Sequence, residues 1–373
     1  MSMNIKEINT YVVNVPLENE WKISLYASTT RGHAIVEVIT EDGVKGYGEA
    51  APSPAFMGET AETIKLVNDL YLAPVLIGLP INHLSTAHER MDGVIHGQSS
   101  AKSAIDIAIH DAWGKTENKP VYDLVGGKYR ETIPLTYVIG MKSDEEAYKE
   151  AQRVIDMGFQ MMKIKVGNDP TRDIRIVESI RQAIKDSGKD VGIRLDGNQG
   201  YSVPEAIKVM RALEKTGEIE SIEQPVEKWD LFGMKEIRAA IDTPVMADEM
   251  VFSIHDMTNI IKMECADIVN LKICKVGGIH QSKKIAGMAE AAGMTCTIGS
   301  NLELGVGIAA SMHVAASTPV IVNPSDFICG AYLHKHDIIQ TPMWDIVKDG
   351  TISVSDKPGL GVEIAVPLEK DSQ

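Results

Sequence analysis

Short apolar runs alternate with segments of helical period through most of this chain. Residues 5–15, 31–40 and 44–49 show the period-two pattern of strands, and Glu41-Asp42-Gly43 supplies a hairpin turn between the second and third. From Thr60 to Asn118 the period becomes helical, as in Ala101, Ala104, Ile105, Ala108, Ile109 and Ala112. Beyond Gly126-Gly127, strand-like runs near 133–139, 161–166, 191–196, 219–223, 244–248, 267–272, 294–299 and 319–323 alternate with amphipathic stretches. Some of those stretches open on helix-start signals such as Ser143-Asp144-Glu145-Glu146 and Ser202-Val203-Pro204-Glu205.

A strand followed by a crossover helix, repeated eight times, predicts an α/β protein built on a (β/α)8 TIM-type barrel. The expected organisation is an α+β capping domain over 1–126, a barrel over 127–340, and a C-terminal segment, 341–373, that packs back on the capping domain. A doubly wound open sheet is the weaker alternative, because no Gly-x-Gly-x-x-Gly follows the first strand.

Composition narrows the function. At 373 residues the chain exceeds what one core usually supports, and its 44% hydrophobic and 24% charged content is that of a globular protein. A net charge of −15 argues against nucleic acid and anionic lipid as partners. No stretch has the roughly 18 consecutive apolar residues of a membrane span, and Met1 to Pro16 lacks the build of a signal peptide, so a cytoplasmic location is expected. Cys265, Cys274, Cys296 and Cys329 stand singly, as reduced buried thiols do.

The chemistry is carried by strand ends. Asp196, Glu223 and Asp248 each close an apolar run about one βα unit apart, bracketed by Lys165 before and Lys272 after. A parallel barrel gathers the carboxyl ends of its strands into one ring, so the five can meet. Three clustered carboxylates repel unless a cation neutralises them, and an all-oxygen set without His or Cys suits Mg²⁺, with Mn²⁺ as a substitute. Lys163 and Lys165 share a strand face, as do Asn270 and Lys272. Adjacent buried amines disfavour each other's protonation, which would give a base near neutral pH. Together these residues read as an enzyme that removes a proton next to a carboxylate.

The same residues resemble the enolase superfamily, in the muconate lactonizing enzyme subgroup, along the whole chain. The matching elements are Lys163-Ile164-Lys165, Asp196-Gly197-Asn198, Glu223-Gln224-Pro225, Ala247-Asp248-Glu249, and Asn270-Leu271-Lys272 with Gly277-Gly278-Ile279 after it. The resemblance implies Lys bases with Mg²⁺ stabilising an enediolate, a pattern already known for that superfamily. It makes Asp196, Glu223 and Asp248 metal ligands, Lys165 and Lys272 opposed bases, and Lys163 an assistant that contacts the substrate carboxylate.

For substrate contacts the resemblance points to Asn198, to Trp21, Tyr26 and Thr29 on a loop spanning Glu18 to Thr30, to Glu303 on strand seven and to Asp326 near strand eight. Gly48-Glu49-Ala50-Ala51-Pro52 resembles dipeptide epimerases as much as cycloisomerases. Dipeptide epimerases carry an Asp-x-Asp pair on the last strand where this chain has Asn323-Pro324-Ser325-Asp326. His334 and His336 are expected on an exposed loop, and His110 in a hydrogen-bonded core position.

The expected reaction is racemisation or epimerisation of an amino-acid derivative, an N-acyl amino acid, dipeptide or related small carboxylate, by a homo-oligomer. A muconate-type cycloisomerase, or a dehydratase or o-succinylbenzoate synthase-like β-elimination, is the rival within the class. A non-catalytic binding barrel is the rival outside it.

Overall fold

The computed structural model describes residues 3–22 and 27–368. Strands β1 (Ile5–Lys22), β2 (Ala27–Thr40) and β3 (Lys45–Ala50) form an antiparallel sheet in that order. Gly43 takes φ +84 in the β2–β3 turn, where the Gly43 amide donates to the Thr40 carbonyl at 2.9 Å.

Helices α1 (Ala61–Val67), α2 (Leu84–Val94) and α3 (Ser99–Glu117) cover the sheet, and one apolar cluster joins Ile5, Val36 and Val38 to Ile64, Met91 and Ile105. Contact between α3 and β3 is unusually close. A Cβ on Gly48 would lie 1.9 Å from the Ala104 carbonyl oxygen, and one on Gly46 2.2 Å from that of Ala108. Glycine is therefore the one residue that lets helix and strand backbones meet there.

After β4 (Thr132–Pro134) a parallel seven-stranded sheet curls round a polar interior: β5 (Tyr137–Ile139), β6 (Met161–Lys165), β7 (Gly192–Asp196), β8 (Ser221–Glu223), β9 (Val245–Ala247), β10 (Ile268–Leu271) and β11 (Thr295–Ile298). Longer helices separate or follow these strands: α4 (Asp144–Asp156), α5 (Pro170–Ser187), α6 (Val203–Glu214), α7 (Leu231–Ala240), α8 (Ile254–Met263), α9 (Ile279–Ala291) and α10 (Gly305–Ser317). Ser143 with Glu146 and Ser202 with Glu205 form capping boxes at the starts of α4 and α6, as the sequence predicts.

The eighth barrel position differs from the expected strand. Residues 319–326 make two isolated bridges, Cys296↔Ile321 and Leu135↔Ser325, which link β11 back to the segment before β5 and close the ring. Pro319 and Pro324 have no amide hydrogen to give, so a regular ladder cannot form. The Pro324 carbonyl instead takes side-chain donors from three sides: Arg194 Nη1 at 3.2 Å, Thr136 Oγ1 at 3.0 Å and Thr297 Oγ1 at 3.0 Å.

Two further expectations are corrected. The run 133–139 divides at Leu135-Thr136, because β4 pairs antiparallel with β12 (Thr351–Ser353) while β5 alone joins the barrel. Residues 18–22 and 27–30, expected as loop, extend β1 and β2, with Trp21 paired to Ser28. The C-terminal segment also touches α3, through the Leu360 amide, which donates to Asp111 Oδ1 at 2.8 Å. Among the described residues, no helix is long and apolar enough to cross a membrane.

Candidate active site

Register places the chemistry. Lys165 pairs with Asp196 and Asp196 with Glu223, so these three form one row across β6, β7 and β8 at the carboxyl end of the sheet. Asp248 and Lys272 follow directly on β9 and β10. Strand β10 stands four positions from β6 in an eight-position ring, so Lys272 and Lys165 approach from opposite walls. Both line one cavity, together with Trp21, Phe56, Val138, Lys163, Asn198, Ser300, Asn301, Leu302, Asp326 and Cys329.

Every acid in the row is wholly buried and faces an amine. Lys165 Nζ lies 2.6 Å from Asp196 Oδ2 and donates to Asn198 Oδ1 at 2.8 Å. Lys163 Nζ lies 3.1 Å from Glu223 Oε2, and also pairs with Asp196 and Asp326. Lys272 Nζ lies 2.6 Å from Asp248 Oδ2.

These pairs correct the expected tuning of the amines. Burial works against the charged forms of Lys163 and Lys272, yet the carboxylates facing them outweigh it and hold both ammoniums well above the ordinary lysine range. The acids respond in turn. Burial followed by the Asp196 charge pushes Glu223 up to about 8, and its carboxyl hydrogen-bonds Asp248. Two carboxyl groups in contact need a proton or a cation between them.

The donor set fits a divalent cation. Asp196, Glu223 and Asp248 are all-oxygen, adjacent and inaccessible to water, and buried Glu249 Oε2 and Asp326 Oδ1 beside them lack hydrogen-bond partners. As the side chains stand, no three acidic, imidazole or thiol groups among the described residues converge as a finished metal cage, and lysines hydrogen-bond Asp196 and Asp248.

Lys275 and Glu249, given no role by the sequence reasoning, join Asn270 and Asn198 in bracing this cluster. Lys275, fully buried on the helical turn after β10, lies 2.7 Å from Asp248 Oδ1. Asn270 Nδ2 donates to Glu223 Oε1 at 2.7 Å, and Asn198 Nδ2 donates to Glu249 Oε1 at 2.9 Å. The signal for Lys275 was its spacing from Lys272; that for Glu249 was a second acid next to Asp248.

The expected substrate contacts divide. Trp21, Asn198 and Asp326 reach the cavity. Glu303 does not: its carboxylate turns back to accept from Ser300 Oγ at 2.9 Å and the Asn301 amide at 2.8 Å. Thr29 is exposed outside the cavity lining, and Tyr26 lies outside the described residues. His334, expected on an exposed loop, is buried against His33, whereas His336 is exposed.

Comparison with known proteins agrees with this geometry. Residues 146–367 match the enolase C-terminal domain-like model, and residues 6–126 match the mandelate racemase / muconate lactonizing enzyme N-terminal domain. The chain belongs to the mandelate racemase / muconate lactonizing enzyme family of the enolase superfamily. It is 36% identical to the L-Ala-D/L-Glu epimerase of Bacillus subtilis (strain 168) over 100% of both chains. To the N-succinyl-L-Arg/Lys racemase of Bacillus cereus it is 37% identical, over 97% of this chain and 96% of that one. The dipeptide epimerase of Enterococcus faecalis V583, solved with Mg and the dipeptide L-Leu-L-Tyr, superposes with a TM-score of 0.89 at 32% identity, over 96% of this chain and 99% of that one.

Proposed function

We propose that this protein racemises or epimerises an amino-acid derivative by moving the proton α to its carboxylate, with Lys165 and Lys272 as the two bases. The observation that carries this reading is their position: two amines from opposite walls of one barrel enter one cavity with a tier of carboxylates between them. Family membership and the epimerase and racemase relatives support it.

Asp196, Glu223 and Asp248 would hold Mg²⁺, or Mn²⁺ in its place. Once bound, the metal supplies positive charge where a substrate carboxylate gains its second negative charge, which favours the transition state over the ground state. With those acids so engaged, Lys165 and Lys272 would lose the carboxylate partners they now face. Lys165 then takes the α-proton on one face while Lys272 delivers one on the other, and configuration inverts. Lys163, placed among Asp196, Glu223 and Asp326, presents a fixed positive charge to the substrate carboxylate. Asn198 holds Lys165 in place, and Trp21, Phe56, Val138 and Leu302 give the non-reacting part of the substrate an apolar wall, which suits an acyl or side-chain group.

Turnover in D₂O with Mg²⁺ tests this. Deuterium should enter the α-carbon of a subset of N-acyl amino acids and dipeptides, and its absence across a broad library would overturn the reading. Lys165→Ala and Lys272→Ala should each lower racemisation by at least about 10²-fold, the smaller end of what a positioned acid or base contributes. Full activity in either variant would remove that lysine's role.

A further inference from the structure

His33 on β2, Glu49 on β3 and His334 after β11 form a buried chain from the N-terminal sheet to the barrel, and the chemistry above uses none of them. His334 Nδ1 lies 2.8 Å from the Gly330 carbonyl, His334 Nε2 lies 3.2 Å from His33 Nε2, and His33 Nδ1 lies 2.9 Å from Glu49 Oε1. Each contact needs one hydrogen between its two atoms. A carbonyl can only accept, so His334 Nδ1 donates. Three contacts therefore hold three protons, whereas two neutral imidazoles and a carboxylate carry two. The chain keeps one additional proton, whether on Glu49, His33 or His334.

The same Glu49 carboxylate accepts from the Leu304 and Gly307 amides, each at 2.7 Å, and so caps the start of α10. Arg31, two residues before His33, donates to the Asn301 carbonyl at 3.1 Å. Leu302 lies between these anchors and lines the cavity with Ser300 and Asn301, and it is held at φ +65, a left-handed conformation that its side chain disfavours.

We propose that Glu49, His33 and His334 are positioning residues: while their chain holds its shared proton, they clamp residues 300–304 and so fix one wall of the cavity. The link to substrate rests on the reading of that cavity given above. Burial favours the uncharged arrangement with the proton on Glu49, since it pushes Glu49 up to about 7 and both imidazoles down to about 3. Other charged groups face the chain: Arg31 and Asp337 beside His33, Glu303 and Asp337 beside Glu49, and Arg31 and His336 beside His334. Loss of the proton leaves two lone pairs facing each other at one contact, and the link through the imidazoles parts there, while a charged Glu49 keeps its two amide donors.

The test needs no turnover, so its failure is distinct from failure of the proposed reaction. In ¹⁵N-histidine NMR of the full chain at about pH 6, His334 should carry hydrogen on Nδ1 and none on Nε2. A neutral His334 with hydrogen on Nε2 would overturn the chain. In amide exchange at about pH 6 corrected for intrinsic rates, Glu49→Leu should lower protection at Asn301, Leu302, Leu304 and Gly307 about tenfold, while amides of β7 and β8 stay protected. Unchanged protection at all four would overturn the clamp, and a loss confined to Leu304 and Gly307 would overturn its link to the cavity wall. His334→Phe should speed exchange at these amides at least about tenfold, and His334→Gln, which restores a donor and an acceptor, should slow it again.

Discussion

Lysine is seldom buried, yet Lys163, Lys165, Lys272 and Lys275 are all inaccessible or nearly so, and each is paired with acids in the same tier. Removing Lys275 leaves Asp248 Oδ1 buried without its donor, although Lys272 still faces Oδ2. Lys275→Met should therefore lower stability by about 2 kcal/mol, read as a shift in the urea midpoint. Asp248→Ala should weaken Mg²⁺ binding at least about tenfold in calorimetry, and an unchanged affinity would strike it from the ligand set. Strand alternation made Lys163, Lys165 and Lys272 legible, because two-residue spacing fixes which side chains share a face. It could not place Lys275, which follows on a helical turn, or Glu303, whose direction depends on the left-handed Leu302 beside it.

At the scale of elements, most barrel strands were legible because parallel strands covered on both faces are continuous apolar runs. The exceptions lie where ladders change partner or fail. Nothing in 133–139 signals that its first residues pair with a strand more than 200 positions later. The run 319–323 looks like a strand, but the prolines flanking it leave bridges in place of a ladder. Gly46 and Gly48 read as ordinary strand residues, whereas the structure makes them the points of contact with α3. Gly48→Ala should cost at least about 3 kcal/mol by urea denaturation, because the obstacle is helix backbone that cannot turn aside.

For the molecule as a whole, pH acts through groups that join distant segments. His313 on α10 accepts from the Tyr122 amide at 3.1 Å and donates to the Leu360 carbonyl at 3.2 Å, and burial pushes it down to about 4. Its folded value lies below the 6.5 of a free imidazole, so the unfolded chain binds more protons between those limits. Its contribution is complete above about pH 6.5 and is lost as pH falls toward 4, a change of about 3 kcal/mol. Urea midpoints measured from pH 7 down to 4.5 should fall more steeply for the native protein than for His313→Gln. An equal slope would show that His313 does not set it.

The manner in which the barrel closes also dictates where it gives way. Seven neighbours are stitched edge to edge, but the last gap is fastened by two isolated bridges and by one oxygen that takes a guanidinium and two hydroxyls. A hoop parts at its weakest join, so Thr297→Val should speed amide exchange at Cys296, Ser325 and Asp326 ahead of the other barrel strands.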